Sequence, residues 1–150
     1  MSFEIVFPDI KKMYWTEYDT IVQNLAAQVK EMQVVIPTKG RPQQVVALGR
    51  GGFIPGVHLS HLLEIPLVPL MWQTRDGTVN EQIVTDKHTL IVDDINDSGQ
   101  TLTEVVNNNT WNGDLWTAVL VNKTHSLFTD VDYVGVTGDN DDWISFPWER

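Results

Sequence analysis

Thr89 to Thr101 reads TLIVDDINDSGQT, and the order of residue types in this stretch decides the fold. Leu90-Ile91-Val92 is a short, apolar, partly β-branched run of the kind that forms a buried strand. Two adjacent acids stand at its exit, and Asp97-Ser98-Gly99 then opens a helix expected over Gln100 to Asn109. The same grammar recurs outward from this unit. Upstream, Gln44 to Leu48 predicts a second buried strand, the glycines at 49, 51 and 52 a turn, Phe53 to Leu63 a helix with Pro55 in its first turn, and Pro66 to Leu70 a third strand. Ile21, Val22, Leu25, Ala26, Val29 and Met32 recur at helical spacing after Thr16, with Thr16 and Asp19 as cap candidates. Pro37, Gly40 and Pro42 supply the turns that follow. Downstream, Trp116 to Val121 and Val131 to Val136 complete the strands, while Gln73 to His88 is polar and aperiodic, a mobile loop or a small hairpin. Strands alternating with helices on short connections predict a doubly wound α/β fold, with a mainly parallel central sheet flanked by helices. Ligands then gather at the carboxyl ends of the strands.

The chain has 150 residues, 42% of them apolar, which argues for one domain over residues 1–150 with a single sizeable core. Its formal charge of −10 disfavours a nucleic-acid partner, because counterion-release binding needs clustered Lys and Arg. No apolar run approaches the roughly 20 residues that span a bilayer, and Met1 to Asp9 has no signal-peptide pattern. The expectation is a cytoplasmic protein with no membrane partner. Without cysteine there is no disulfide, thiolate chemistry or Cys-built zinc site.

Two loops carry chemistry. The start of the helix after Asp97 offers unpaired backbone N–H groups, a favourable dipole and the Ser98 and Thr101 hydroxyls, with Gly99 allowing close approach. That suits a phosphate monoester. Asp93 and Asp94 would repel a phosphate unless they face sugar hydroxyls or a divalent cation, and hard oxygen ligands suit Mg²⁺. A phosphorylated sugar with Mg²⁺ answers both demands, although acids at strand ends also serve as structural caps. Val45 to Pro55, VVALGRGGFIP, places a glycine-rich turn and Arg50 after the other strand. Unusual backbone angles at its glycines would expose consecutive N–H groups to anionic oxygens, as pyrophosphate requires.

These segments resemble type I phosphoribosyltransferases, whose ribose-phosphate loop has this strand, acidic pair and D-S/T-G-x-T turn. The resemblance implies that Asp93 and Asp94 contact the ribose of 5-phosphoribosyl 1-pyrophosphate (PRPP) and Mg²⁺, and that Asp97, Ser98, Gly99, Gln100 and Thr101 surround its 5-phosphate. It implies Asp97 as the catalytic group that manages the base proton. Arg50, Gly51 and Gly52 would hold pyrophosphate beside a non-proline cis peptide at Gly49-Arg50, and Gln73 to Asp86 would form a flexible hood in which Arg75 reaches pyrophosphate or lies in a solvated turn. Toward the end, Lys123 at a strand exit and DWISFPW from Asp142 to Trp148 look like the base pocket of bacterial xanthine-guanine phosphoribosyltransferases. There Lys123 would meet the six-position carbonyl, Trp143 would stack on the purine, and the Ile144 backbone would read its two-position edge. A homodimer or larger homo-oligomer is common in that family. Two further readings stand beside this one: a non-catalytic regulator that binds PRPP or a nucleotide, and a phosphoribosyltransferase for a pyrimidine or other acceptor. His58, His61, His88 and His125 receive no role.

Overall fold

A computed structural model describes residues 11–35, 40–75, 77–139 and 141–150. The expectations for Met1 to Asp9, and for the turn at Pro37, fall outside these residues. Helix α1 spans Trp15–Val35 and buries Tyr18, Ile21, Val22, Leu25, Ala26 and Val29, the face its periodicity predicts except at Met32, which is exposed. Its cap differs from expectation. The helix starts one residue before Thr16, so Thr16 lies inside it, and Glu17 reaches back to accept from the Tyr14 N–H at 3.0 Å.

Strand β1 is Gln44–Gly49, helix α2 Phe53–Leu63 and strand β2 Leu67–Met71. Two-residue β3, Val84–Thr85, precedes β4 at Thr89–Asn96, helix α3 at Gln100–Asn108 and two-residue β5 at Thr110–Trp111. Strand β6 is Leu115–Lys123 and β7 is Tyr133–Gly138, after which Pro147–Glu149 makes a single 3₁₀ turn. Among its described residues the polar stretch from Gln73 holds no hairpin: β3 pairs in parallel with β5, and the Ile83 N–H donates to the Asn109 side chain at 2.7 Å.

The main sheet has the order β2-β1-β4-β6-β7 and is parallel throughout. Alternation along its strands feeds two cores, one per face. Val45, Leu90, Val92 and Leu120 pack with α1 and with Leu59 of α2, whereas Val46, Leu48, Ile91 and Val119 pack with Leu102 and Val105 of α3. Burial on both faces is why these strands are uniformly apolar. From β1 the chain moves outward to β2, then returns to the other side of β1 and proceeds through β4, β6 and β7. The sheet therefore reverses direction between β1 and β4, and their outgoing loops open a crevice at the strand carboxyl ends.

Candidate active site

The crevice joins the two loops that the sequence singles out. Ala47 is in register with Val92, so the turn after β1 lies against the acidic exit of β4. The peptide between Gly49 and Arg50 is cis, as expected. The reason for the glycines is different from the one expected. Positive φ among the described glycines occurs at Gly77 and Gly99, while Gly52 has φ −81°. Proximity is the constraint instead. A Cβ on Gly51 would overlap the Asp94 carboxylate, and one on Gly52 would stand 2.5 Å from Val92 O and 2.7 Å from Leu48 O. The Gly52 N–H donates to Leu48 O at 2.8 Å, so it belongs to the turn rather than to a row of open donors.

Asp93 is only 8% exposed, and its Oδ1 accepts from the Asp94 N–H at 2.9 Å, while Asp94 Oδ1 accepts from the Ile95 N–H at 2.8 Å. Burial raises the Asp93 carboxyl well above the usual carboxylate range, and the adjacent Asp94 charge adds to it. Burial also raises Asp94. A buried and a half-buried acid side by side make a hard-oxygen pair whose charge a divalent cation would neutralise, so these residues fit Mg²⁺. Among the described residues no cluster of three or more His or acidic side chains forms a protein-only metal site.

The pair has a stability consequence with a definite sign. A folded-state pKa raised above the unfolded value means the native state binds more protons, so this contribution is full below the ordinary carboxylate range and is lost as pH rises through the raised folded values. Asp93→Asn should therefore stabilise the ligand-free protein at neutral pH by about 1 kcal/mol, roughly 2–4 °C in Tm. The advantage should shrink as the pH is lowered and the wild-type pair protonates. Thermal scans across pH would refute this if the variant melted below wild type at neutral pH.

Asp97, Ser98 and Gly99 form the turn into α3. Gly99 takes φ +91°, and Ser98 Oγ accepts from the Gln100 N–H at 3.2 Å. The Gln100 amide turns away from the turn, donating to Thr74 O at 3.3 Å and to Glu104 Oε2 at 2.9 Å, so it ties the start of the polar stretch after β2 to α3. A second tie closes the same stretch: the Gln73 N–H donates to Asn80 Oδ1 and Asn80 Nδ2 to Gln73 O, each at 2.8 Å. Arg75 is exposed in the enclosed turn, and its neighbour Asp76 lies outside the described residues.

The loop after β6 packs on this turn. Buried Asn96 donates to Asn122 Oδ1 and to Phe128 O, both at 2.8 Å, and Ser126 Oγ donates to Asn96 Oδ1 at 2.9 Å. Lys123 is 2% exposed, with its Nζ donating to Asp142 O at 3.1 Å, next to Trp143. The expected base-pocket residues are thus brought together. Trp143 is 78% exposed, Ile144 is buried with its side chain in the core, and half-buried Trp148 stacks on Phe146 at 5.0 Å against that core. His125, unassigned from sequence, lies 2.6 Å from Asp97. His58 instead meets the Tyr18 hydroxyl at 3.1 Å, away from this site.

A strand-end acid pair, the turn into α3 and a glycine loop meet around one crevice. A family model described as the phosphoribosyl transferase domain matches residues 14–149, and the chain belongs to that family as a type I phosphoribosyltransferase enzyme. Among solved structures it is similar to a purine phosphoribosyltransferase from Pyrococcus horikoshii, at 29% identity, with 95% of each chain covered and a TM-score of 0.73. The fold is shared with the Helicobacter pylori xanthine-guanine-hypoxanthine phosphoribosyltransferase, at 21% identity, with 92% of this chain and 93% of that chain covered and a TM-score of 0.65. It is shared too with a hypothetical protein from Neisseria gonorrhoeae with bound ppGpp, at 24% identity, with 96% of this chain and 92% of that one covered and a TM-score of 0.63. A search of curated protein sequences finds no significant match. Among the described residues no helix is long and apolar enough to cross a membrane.

Proposed function

We propose that the chain is a cytoplasmic, single-domain, Mg²⁺-dependent enzyme of purine salvage that transfers the 5-phosphoribosyl group of PRPP to a six-oxopurine. The products are a nucleoside 5-monophosphate and pyrophosphate. The observation that carries this reading is the close approach of Gly51 to Asp94 at the point where the sheet reverses, which leaves the glycine loop and the acidic pair side by side. Arg50 and Gly51 hold the departing pyrophosphate, Asp93 and Asp94 hold the ribose hydroxyls and Mg²⁺, and the turn from Asp97 to Thr101 holds the 5-phosphate. When bound, Mg²⁺ offsets the charge that develops on the leaving group. Lys123 and the Ile144 backbone orient the base, and Trp143 offers it a flat face. Similarity to the P. horikoshii purine enzyme supports the purine reading over a pyrimidine one.

The test is Mg²⁺-dependent nucleotide formation from PRPP with guanine, hypoxanthine, xanthine, uracil and orotate, followed chromatographically. Turnover of a six-oxopurine is the expected result. Saturable PRPP binding without turnover of any base would assign a regulator, and turnover of uracil or orotate alone would reassign the acceptor. Trp143→Ala should raise the KM for the base about 10-fold, the lower half of the usual range for base stacking because the indole is largely exposed, and leave the KM for PRPP unchanged.

A further inference from the structure

His125 stands two residues beyond Lys123, where β6 gives way to its outgoing loop. Its Nε2 lies 2.6 Å from Asp97 Oδ1 and its Nδ1 3.4 Å from Asp141 Oδ1. The next two residues are tied down. The Ser126 N–H donates to Lys123 O at 3.1 Å, its hydroxyl donates to buried Asn96, and the Leu127 N–H donates to Ser98 O at 3.0 Å. The backbone that bears the imidazole is therefore docked on the turn that bears the carboxylate. The two side chains meet because their loops are fastened together.

This contact does little for stability. The side chains of His125 and Asp97 are 38% and 55% exposed, and water screens an ion pair so placed. Direction matters more than charge here. A short bond to Oδ1 occupies one carboxylate oxygen and fixes the rotamer, while Oδ2 has no hydrogen-bond partner among the described residues. Asp141, with a side chain 98% exposed, adds little at Nδ1.

We propose that His125 is a positioning residue for Asp97, donating from Nε2 to Oδ1 so that Oδ2 faces the proton of the incoming base. The proposal rests on the reading of Asp97 as the acceptor of that proton. In the step it serves, the base nitrogen forms a bond to the anomeric carbon and its proton passes to Asp97 Oδ2. The bond from that carbon to pyrophosphate breaks, and pyrophosphate leaves with the electron pair. His125 keeps its own proton throughout.

The experiment is steady-state kinetics with PRPP and each six-oxopurine for wild type, His125→Ala and His125→Gln, each with Asp97 intact and with Asp97→Asn. His125→Ala should lower kcat about 10- to 100-fold, the scale found when a group that orients a reacting ligand is removed, with the KM for PRPP unchanged. His125→Gln, which can present an amide N–H near the position of Nε2, should recover most of the loss. In the Asp97→Asn background His125→Ala should cost less than about two-fold, because the group it positions is already disabled. The proposal is overturned by wild-type kcat in His125→Ala, by equal losses in both backgrounds, or by a loss confined to the KM for PRPP. A wild-type protein that turns over no six-oxopurine removes the functional reading and this proposal together. Turnover by wild type at a rate that His125→Ala matches removes this proposal alone.

Discussion

Asp97→Asn is expected to lower kcat about 10²- to 10⁴-fold, the span usually supplied by one positioned acid or base. The amide has nearly the same shape as the carboxylate, and its oxygen can still accept from His125, so the turn into α3 should keep its geometry. What it loses is the negative charge and the ability to take a proton from the base. The KM for PRPP should change less than kcat, since Asp97 is one of five residues proposed around the 5-phosphate and Asp93 and Asp94 keep the ribose. Stability should also hold, because the Asp97 side chain is more than half exposed and leaves no buried group without a partner. The measurement is kcat and KM for both substrates beside a melting curve. A variant that melts like wild type and retains most of its kcat would remove Asp97 from the chemistry.

Sequence reading succeeds where one local pattern determines the outcome. Val45 to Leu48 and Leu90 to Val92 read as strands because a parallel sheet covered on both faces leaves no polar alternation to confuse the pattern. Phe53–Leu63 matches its expected bounds because a glycine turn starts it and Glu64, in the left-handed region at φ 56°, ends it. The pairing of Val84–Thr85 with Thr110–Trp111 was not legible, since two-residue strands have no periodicity and this pair depends on Asn109 meeting Ile83. The acidic pair and the turn into α3 were legible because all their residues are contiguous. His125 was not. Its partner Asp97 is 28 residues away, and the only local sign was its place just beyond a strand-end lysine. The glycines after β1 show a related limit: sequence marks a glycine, whereas the reason, here the approach of Asp94 to Gly51, belongs to the packing of β1 beside β4.

Gly99→Ala should destabilise the protein by about 3 kcal/mol, combining a left-handed backbone cost of roughly 1–2 kcal/mol with an overpacking cost of roughly 1–3 kcal/mol. Both terms have a visible source. Gly99 sits at φ +91°, and a Cβ there would overlap the Phe128 backbone nitrogen and stand 2.7 Å from Ser126 Oγ and 3.0 Å from the Leu127 nitrogen. The backbone atoms cannot step aside without pulling Leu127 from Ser98, the bond that fastens the β6 loop to the turn. For a chain of this size the expected fall in Tm is about 6–12 °C. Gly77→Ala separates the two terms, because Gly77 also has positive φ, +76°, but a Cβ there meets nothing within 4 Å. Its cost should be about 1 kcal/mol, from the backbone alone. Where Gly99→Ala still folds, kcat should fall as well, since moving the β6 loop withdraws His125 from Asp97. Equal melting losses in the two variants would mean that the turn and the β6 loop are not packed as tightly as the fold requires. A larger loss at Gly99, accompanied by reduced kcat, would tie the close approach of these loops to both folding and catalysis.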